Sequence, residues 1–545
     1  MTTDVRRIQL YDTTLRDGAQ SAGIHFSSED KKRIACRLAS FGVDWIEGGW
    51  PGSSPTDDRF FAMMRDRSWS HSRLVAFGST ARPGHPAAED AGLARLIDCG
   101  SDAVCIFGKS WDMHVTTGLG IDLQTNLDLV RESVAWLKRH VAMVIFDAEH
   151  FFDGYVVNRD YAMQVLTAAA GAGADALVLC DTNGGSLPEQ INACVRQVVA
   201  RYPDVAIGIH AHNDSEMAVA NTIAAVSAGA SHVQGTVNGI GERCGNANLI
   251  SVIPVLKLKM GVNCGISMDR LKKLRRLSTF VNEMANQLPW QHQPFVGQNA
   301  FAHKGGVHVS AVRKASRLYE HIDPASVGNA QRVLVSNQAG RSNILAKLQQ
   351  LEPDAVVDDV AVAKVVGRIK EMEAAGYAFE GADASFQLLL RRATGNFKRH
   401  FELISFRVYD EKRGHDEAPE SEATVRVRVN GRVLHTAALG SGPVNAMDKA
   451  LRAALAGAYP GLGDMRLTDF KVRVLSTKDA TEAAVRVLIE SSDGVRKWNT
   501  VGVSTDTLEA TYRALNDAIE YKLVMDQVAS EQETGLLTEE KTSAG

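Results

Sequence analysis

The chain has 545 residues, 45% of them hydrophobic and 23% charged, and a net charge of −4. That is a globular composition, with length for roughly two to four domains. No basic field points to nucleic acid or an anionic membrane, no apolar run is long enough to span a bilayer, and Met1-Thr2-Thr3-Asp4 opens no signal peptide, so a small-molecule substrate and a cytoplasmic location are expected.

The first apolar stretch, Ile8-Gln9-Leu10-Tyr11-Asp12, runs into Thr13-Thr14-Leu15-Arg16-Asp17-Gly18, a turn that sets a fixed positive charge beside a carboxylate. Strand candidates follow the first (7–12) at 44–48, 73–78, 102–107, 141–147, 175–180, 205–211 and 232–237, each succeeded by a helix-length amphipathic segment. Four helices end alike, in Phe41-Gly42-Val43-Asp44, Cys99-Gly100-Ser101-Asp102, Ala172-Gly173-Ala174-Asp175 and Ala228-Gly229-Ala230-Ser231, a terminating glycine before a short turn. Eight βα units in about 250 residues, with no G-x-G-x-x-G after the first strand, predict a TIM (β/α)8 barrel over 1–265 and not an open doubly wound sheet. The seven cysteines form no C-x-x-C pair and are expected as reduced, mostly buried thiols.

From 266 to 400 the βα rhythm stops. An Arg/Lys-rich helical piece (270–288) leads into Pro294–His308 and then Tyr319-Glu320-His321-Ile322-Asp323-Pro324, polar and glycine-rich sequence suited to a helical lid or linker. Residues 410–421 read as a charged linker or loop. The C-terminal region, 401–528, contains a pseudo-repeat of two ββα units, forming an α+β regulatory or dimerisation domain. One unit turns at Asn430-Gly431, the other at Asp493-Gly494. The tail, 529–545, is expected to be disordered.

The chemistry concentrates at the ends of the barrel strands. His210 and His212 are two apart on strand seven, so both can face the mouth and bind one metal, and Asp17 adds a carboxylate. Two imidazoles and one oxygen leave open positions for substrate and water, the pattern of a Lewis-acid site. Glu47, Lys109, Glu149, Asp181-Thr182-Asn183, Asn238 and Gly239–Asn246 fall at the same end.

Together, Tyr11–Gly18, His210-Ala211-His212-Asn213-Asp214 and Gly239-Ile240-Gly241-Glu242-Arg243-Cys244-Gly245-Asn246 resemble the metal-dependent acyl-CoA Claisen-condensing synthases, the group containing 2-isopropylmalate, homocitrate and citramalate synthases. The likeness covers nearly the whole chain, and Val296–His308 with Tyr319–Pro324 look most like the citramalate-forming branch. It implies that Asp17, His210 and His212, with Asn246 as a further ligand, hold a divalent cation (Mg²⁺, Mn²⁺ or Zn²⁺). The implied substrates are acetyl-CoA and pyruvate, condensed and hydrolysed to citramalate and CoA on the way to isoleucine. Arg16 would stabilise the developing alkoxide and Thr182 would bind the pyruvate carboxylate. Glu149, His308 and Tyr319 match the family positions tied to proton abstraction and thioester hydrolysis, with the roles undivided among them; Tyr319, beyond the barrel, could serve a neighbouring subunit of a homodimer. One residue more separates His308 from Tyr319 than in other members, and His303 is a further candidate.

The nearest alternative is 2-isopropylmalate synthase, with 2-oxoisovalerate as acceptor. An acyl-CoA lyase on the same barrel, an iron-dependent oxygenase using the same three ligands, and a binding protein without catalysis are the other readings. Isoleucine is the effector expected at the C-terminal domain, on pathway grounds alone.

Overall fold

The computed structural model of the protein describes residues 7–67, 69–334, 344–345, 359–475 and 483–543. These divide into two compact units, Met1–Phe301 with Glu320–Gln331, and Ala302–Tyr319 with Arg332–Gly545.

In the first unit β1 (Gln9–Asp12), β2 (Trp45–Gly49), β3 (Arg73–Ser79), β4 (Ala103–Lys109), β5 (Val144–Glu149), β6 (Ala176–Asp181), β7 (Ala206–Ala211) and β8 (His232–Gly235) form a closed parallel barrel. Closure is made by β1 against β8, with Gln9 opposite His232 and Asp12 opposite Gly235. All eight expected strands are present, shifted by three residues or fewer at either end. Alternation along the strands separates two cores. Leu10, Ile46, Leu74, Val104, Phe146 and Leu177 face outward against the helices, whereas Tyr11, Val75, Cys105, Ile145 and Val178 pack inside the barrel.

The repeated helix-ending turns explain how the ring is held. Gly42, Gly100, Gly173 and Gly229 all have positive φ, from 78° to 125°, as helix-terminating glycines do. The aspartate two residues on then accepts a backbone N–H from the preceding strand: Asp44 from Leu10 (2.9 Å), Asp102 from Leu74 (2.7 Å) and Asp175 from Val144 (2.7 Å). Each charged cap is partnered, Asp44 by Arg7, Asp102 by Arg67 and Asp175 by Lys138. After β8 the helical piece expected at 270–288 forms Leu274–Met284 and packs on the first barrel helix, Ser28–Phe41, with Arg37 4.6 Å from the Phe280 ring centroid.

In the second unit, β9 (Ala302–His303) pairs in parallel with β10 (Arg332–Val333). Two antiparallel sheets follow, each with a helix: β11 (Glu402–Glu411), β12 (Glu420–Val429) and β13 (Arg432–Gly440) with helix Pro443–Leu455, then β14 (Arg466–Val474), β15 (Val485–Ser492) and β16 (Lys497–Ser504) with helix Thr507–Ser543. The predicted repeat is there, with one strand more per unit. The added strands, β11 and β14, lie at sheet edges and carry charges on exposed positions, which hides their period. On β12, Val425, Val427 and Val429 are buried while Arg426 and Arg428 are exposed, and Asn430 and Gly431 both take positive φ in the hairpin turn.

Two expectations are corrected. The charged stretch 410–421 is not a linker but the end of a hairpin, with Glu411 opposite Glu420 and only 412–419 as loop. The last helix runs to Ser543, through the segment expected as a disordered tail, where glutamate, leucine and lysine favour helix. All seven cysteines are free, and Cys36 and Cys244 are exposed. Among the described residues no helix is long and apolar enough to cross a membrane.

Inside the barrel the His232 ring occupies space that a side chain at Gly208 would fill: a Cβ there would lie 2.9 Å from His232 Cδ2 and 2.9 Å from Val178 Cγ2. Gly208→Ala should therefore lower the thermal midpoint, at a cost of about 1–3 kcal/mol for overpacking. Combining it with Val178→Ala should cost less than the sum of the two single changes, as calorimetry would show.

Candidate active site

The C-terminal ends of the barrel strands bring most of the predicted groups to one mouth. His210 on β7 and His212 just beyond its end both turn inward, with their Nε2 atoms 3.3 Å apart. Asp17, in the turn after β1, presents Oδ2 at 3.3 Å from His210 Nε2 and 3.9 Å from His212 Nε2. Asn246, in the loop after β8, sets its amide 3.2 Å from the same carboxylate oxygen and 3.1 Å from His210 Nε2. All four side chains are buried. Gly245 fixes that approach: its φ is 88°, and a Cβ would lie 1.9 Å from the Gly239 carbonyl oxygen.

These residues fit a divalent cation. The Asp17, His210 and His212 donor atoms all lie within 4.8 Å of one another, the one such group of three among the described residues. Two imidazoles and a carboxylate suit a first-row divalent ion with positions left open. Asn246 Oδ1 is buried with no hydrogen-bond partner among the described residues, a costly arrangement unless it meets a cation. Rotating the amide exchanges this oxygen with the nitrogen that now faces the triad.

Burial and mutual contact set the electrostatics of the three groups. Burial opposes charge on Asp17, yet Arg16 and His210 outweigh it and hold the carboxyl far below its ordinary range. Burial, followed by the neighbouring His210, pushes His212 down to about 3, so its imidazole is neutral and can donate a lone pair. For His210 burial also opposes the charge, but the hydrogen bond and charge of Asp17 prevail and raise it.

Arg16 is fixed from behind. Its Nε donates to Glu47 Oε1 at 2.6 Å, its Nη1 to Asp17 Oδ2 at 3.2 Å, and its guanidinium lies 3.8 Å from the Phe77 ring centroid. Glu47, fully buried on β2, also accepts from the Tyr11 hydroxyl at 2.5 Å. At the end of β5, Glu149 is paired with Lys109 from β4. Thr182, after β6, accepts the His150 backbone N–H at 2.9 Å, so its own hydroxyl hydrogen remains for a ligand. Arg16, Asp17, Glu149, Thr182, His210 and His212 share one cavity of about 250 Å³, walled on its apolar side by Trp50, Phe77 and Phe107.

Other residues named from sequence go elsewhere. Asp181 accepts from Ser186 and Asn221, and Asn183 donates to Asp153. Asn238 is a clamp, donating to Ser278 and Asn282 and accepting from Ser278 and Gln293. His303, His308 and Tyr319 belong to the second unit. There His308, on helix Gly306–Lys314, stacks on Tyr319 with ring centroids 4.2 Å apart, and His303 lies on β9.

Two participants were not singled out from sequence. Gln234 on β8 receives His210 Nδ1 at 2.8 Å and donates to Asp147 Oδ1 on β5 at 3.0 Å. Burial pushes Asp147 up to about 6. The available signal was a polar side chain at a buried strand position, Gln234 on β8 and Asp147 on β5.

The HMGL-like family model matches residues 7–281, a model described as homocitrate synthase post-HMGL domain-like matches 295–376, and the LeuA allosteric (dimerisation) domain matches 380–523. The chain is 52% identical to the (R)-citramalate synthase of Geobacter sulfurreducens, over 95% of this chain and 97% of that one. It is 51% identical to the (R)-citramalate synthase of Aquifex aeolicus, over 96% and 98% of the two chains. To the probable 2-isopropylmalate synthase of Methanopyrus kandleri identity falls to 32%, over 93% and 97%. The chain therefore belongs to the 2-isopropylmalate and homocitrate synthase family of HMGL-like proteins, where it groups with the (R)-citramalate synthases.

Proposed function

We propose that the protein condenses acetyl-CoA with pyruvate and hydrolyses the resulting thioester, releasing (R)-citramalate and CoA. The observation that carries this is the meeting of Asp17, His210, His212 and Arg16 in one small cavity, in a chain about half identical along its length to enzymes named for that product. The lower identity to a 2-isopropylmalate synthase makes the 2-oxoisovalerate reading the weaker one.

A divalent cation (Mg²⁺, Mn²⁺ or Zn²⁺) held by Asp17, His210 and His212, with Asn246 beside them, would supply Lewis-acid polarisation of the 2-oxo acid. The chain's own groups do the rest. Attack of the acetyl carbon on the keto carbon turns the keto oxygen into an alkoxide, and Arg16, immobilised by Glu47 and Phe77, supplies fixed positive charge there without reorganising. Thr182 donates its hydroxyl hydrogen to the pyruvate carboxylate. Glu149, His308 and Tyr319 are assigned together to deprotonation of the acetyl methyl and activation of the water that releases CoA. The apolar wall of Trp50, Phe77 and Phe107, in a cavity of about 250 Å³, favours a short acceptor.

In this reading the barrel (1–265), the lid and linker (266–400) and the C-terminal domain (401–528) belong to a cytoplasmic homodimer. The enzyme would feed isoleucine synthesis, and isoleucine would act at the LeuA-like domain.

Three experiments test the assignment. Free thiol should appear from acetyl-CoA with pyruvate well ahead of 2-oxobutyrate, 2-oxoisovalerate and 2-oxoglutarate, cease on chelation, and return with Mg²⁺ or Mn²⁺. A preference for 2-oxoisovalerate would move the enzyme to leucine synthesis, and no thiol with any acceptor would end the condensation reading. Arg16→Lys should lower kcat by about 10²–10³-fold, the usual effect of removing a preorganised donor at a developing oxyanion. Thr182→Val should raise the KM for pyruvate roughly tenfold or more while leaving that for acetyl-CoA unchanged, as loss of a hydrogen bond to a charged group implies.

A further inference from the structure

Behind the His210 imidazole runs a buried polar chain. His210 Nδ1 lies 2.8 Å from Gln234 Oε1, and Gln234 Nε2 donates to Asp147 Oδ1 at 3.0 Å. Gln234 has no exposed surface, and Asp147 and His210 are 3% and 5% exposed.

The direction of the chain follows from what each group can do. An ionised carboxylate only accepts, so Asp147 takes the amide N–H and turns the Gln234 carbonyl toward His210. A carbonyl oxygen also only accepts, so Nδ1 must carry the imidazole proton. In the neutral imidazole the lone pair is then on Nε2, the nitrogen that faces Asp17 and Asn246. His212 lacks this support: its Nδ1 is buried without a hydrogen-bond partner among the described residues.

We propose that Gln234 and Asp147 are positioning residues of the metal centre, which together fix the tautomer and ring orientation of His210 so that Nε2 is presented as a ligand. The inference rests on the reading of Asp17, His210 and His212 as metal ligands. Neither residue touches the reacting atoms in this scheme. Both act through His210, as hydrogen-bond partners behind a ligating imidazole generally do.

The test is Mn²⁺ titrated into the chelator-treated full-length protein, with free ion followed by electron paramagnetic resonance and the thermal midpoint of each metal-free variant recorded beside it. Gln234→Met keeps most of the volume but removes the acceptor, and Mn²⁺ should bind about 10–100-fold more weakly. Asp147→Asn combined with Gln234→Glu exchanges the charge while preserving the order of donors and acceptors, because the new carboxylate can accept from both His210 and the new amide. This double variant should regain affinity close to that of the parent.

Parent-like Mn²⁺ affinity in Gln234→Met would overturn the proposal, and so would a double variant as weak as Gln234→Met. If Gln234→Met does not fold, the double variant is compared with Asp147→Asn alone and must bind more tightly. A parent protein that binds no Mn²⁺ would fail the metal reading itself, an outcome distinct from a parent that binds while its variants match it.

Discussion

Glu47 has no exposed surface, and its charge is answered by Arg16. The pairing sets the conditions under which the mouth of the barrel works. Tyr11 supplies a second hydrogen bond to Glu47, Phe77 supplies a flat surface beneath the guanidinium, and Asp17 takes another guanidinium N–H. Asp17 is thereby kept ionised, and it in turn draws His210 and His212 to one point. The charge balance of the site thus begins one strand away from the metal-competent residues. Loss of Glu47 would leave Arg16 less confined and Asp17 as its remaining carboxylate partner.

Much of this architecture was legible in the sequence because it rests on short-range rules. The glycine-ended helices, the eight apolar strands and the His-x-His pair each obey a local period, and together they specify which side chains reach the mouth. The meeting of Asp17 with His210, nearly two hundred residues apart, follows from barrel closure once the strand count is right. Gln234 and Asp147 were not read because their meaning lies in the pairing across the barrel interior, which no local pattern encodes. Asn238 shows that position at the mouth does not by itself assign a role. It lies at the catalytic end, yet its amide is used wholly by Ser278, Asn282 and Gln293.

The second unit shows where periodicity weakens. Its central strands, β12 and β15, alternate cleanly and were found, whereas the edge strands β11 and β14 carry charge on exposed positions and were not. A charged stretch that reads as a connector proves to be a hairpin end because the strands on either side continue their pairing to Glu411 and Glu420. Composition alone could not distinguish the two, since exposed edges and linkers recruit the same residue types. His308 and Tyr319 stack on one another within this unit, a local arrangement that their spacing in the chain did not reveal.

The aspartates at 44, 102 and 175 have a consequence of another kind. By fastening each preceding strand at the end away from the mouth, they place the ring's staples where no substrate is handled. The scaffold and the chemistry draw on different residues, so exchanges in the loops that shape the acceptor cavity leave the fastenings intact. A lineage could explore new 2-oxo acids by redrafting one rim while inheriting the other unaltered.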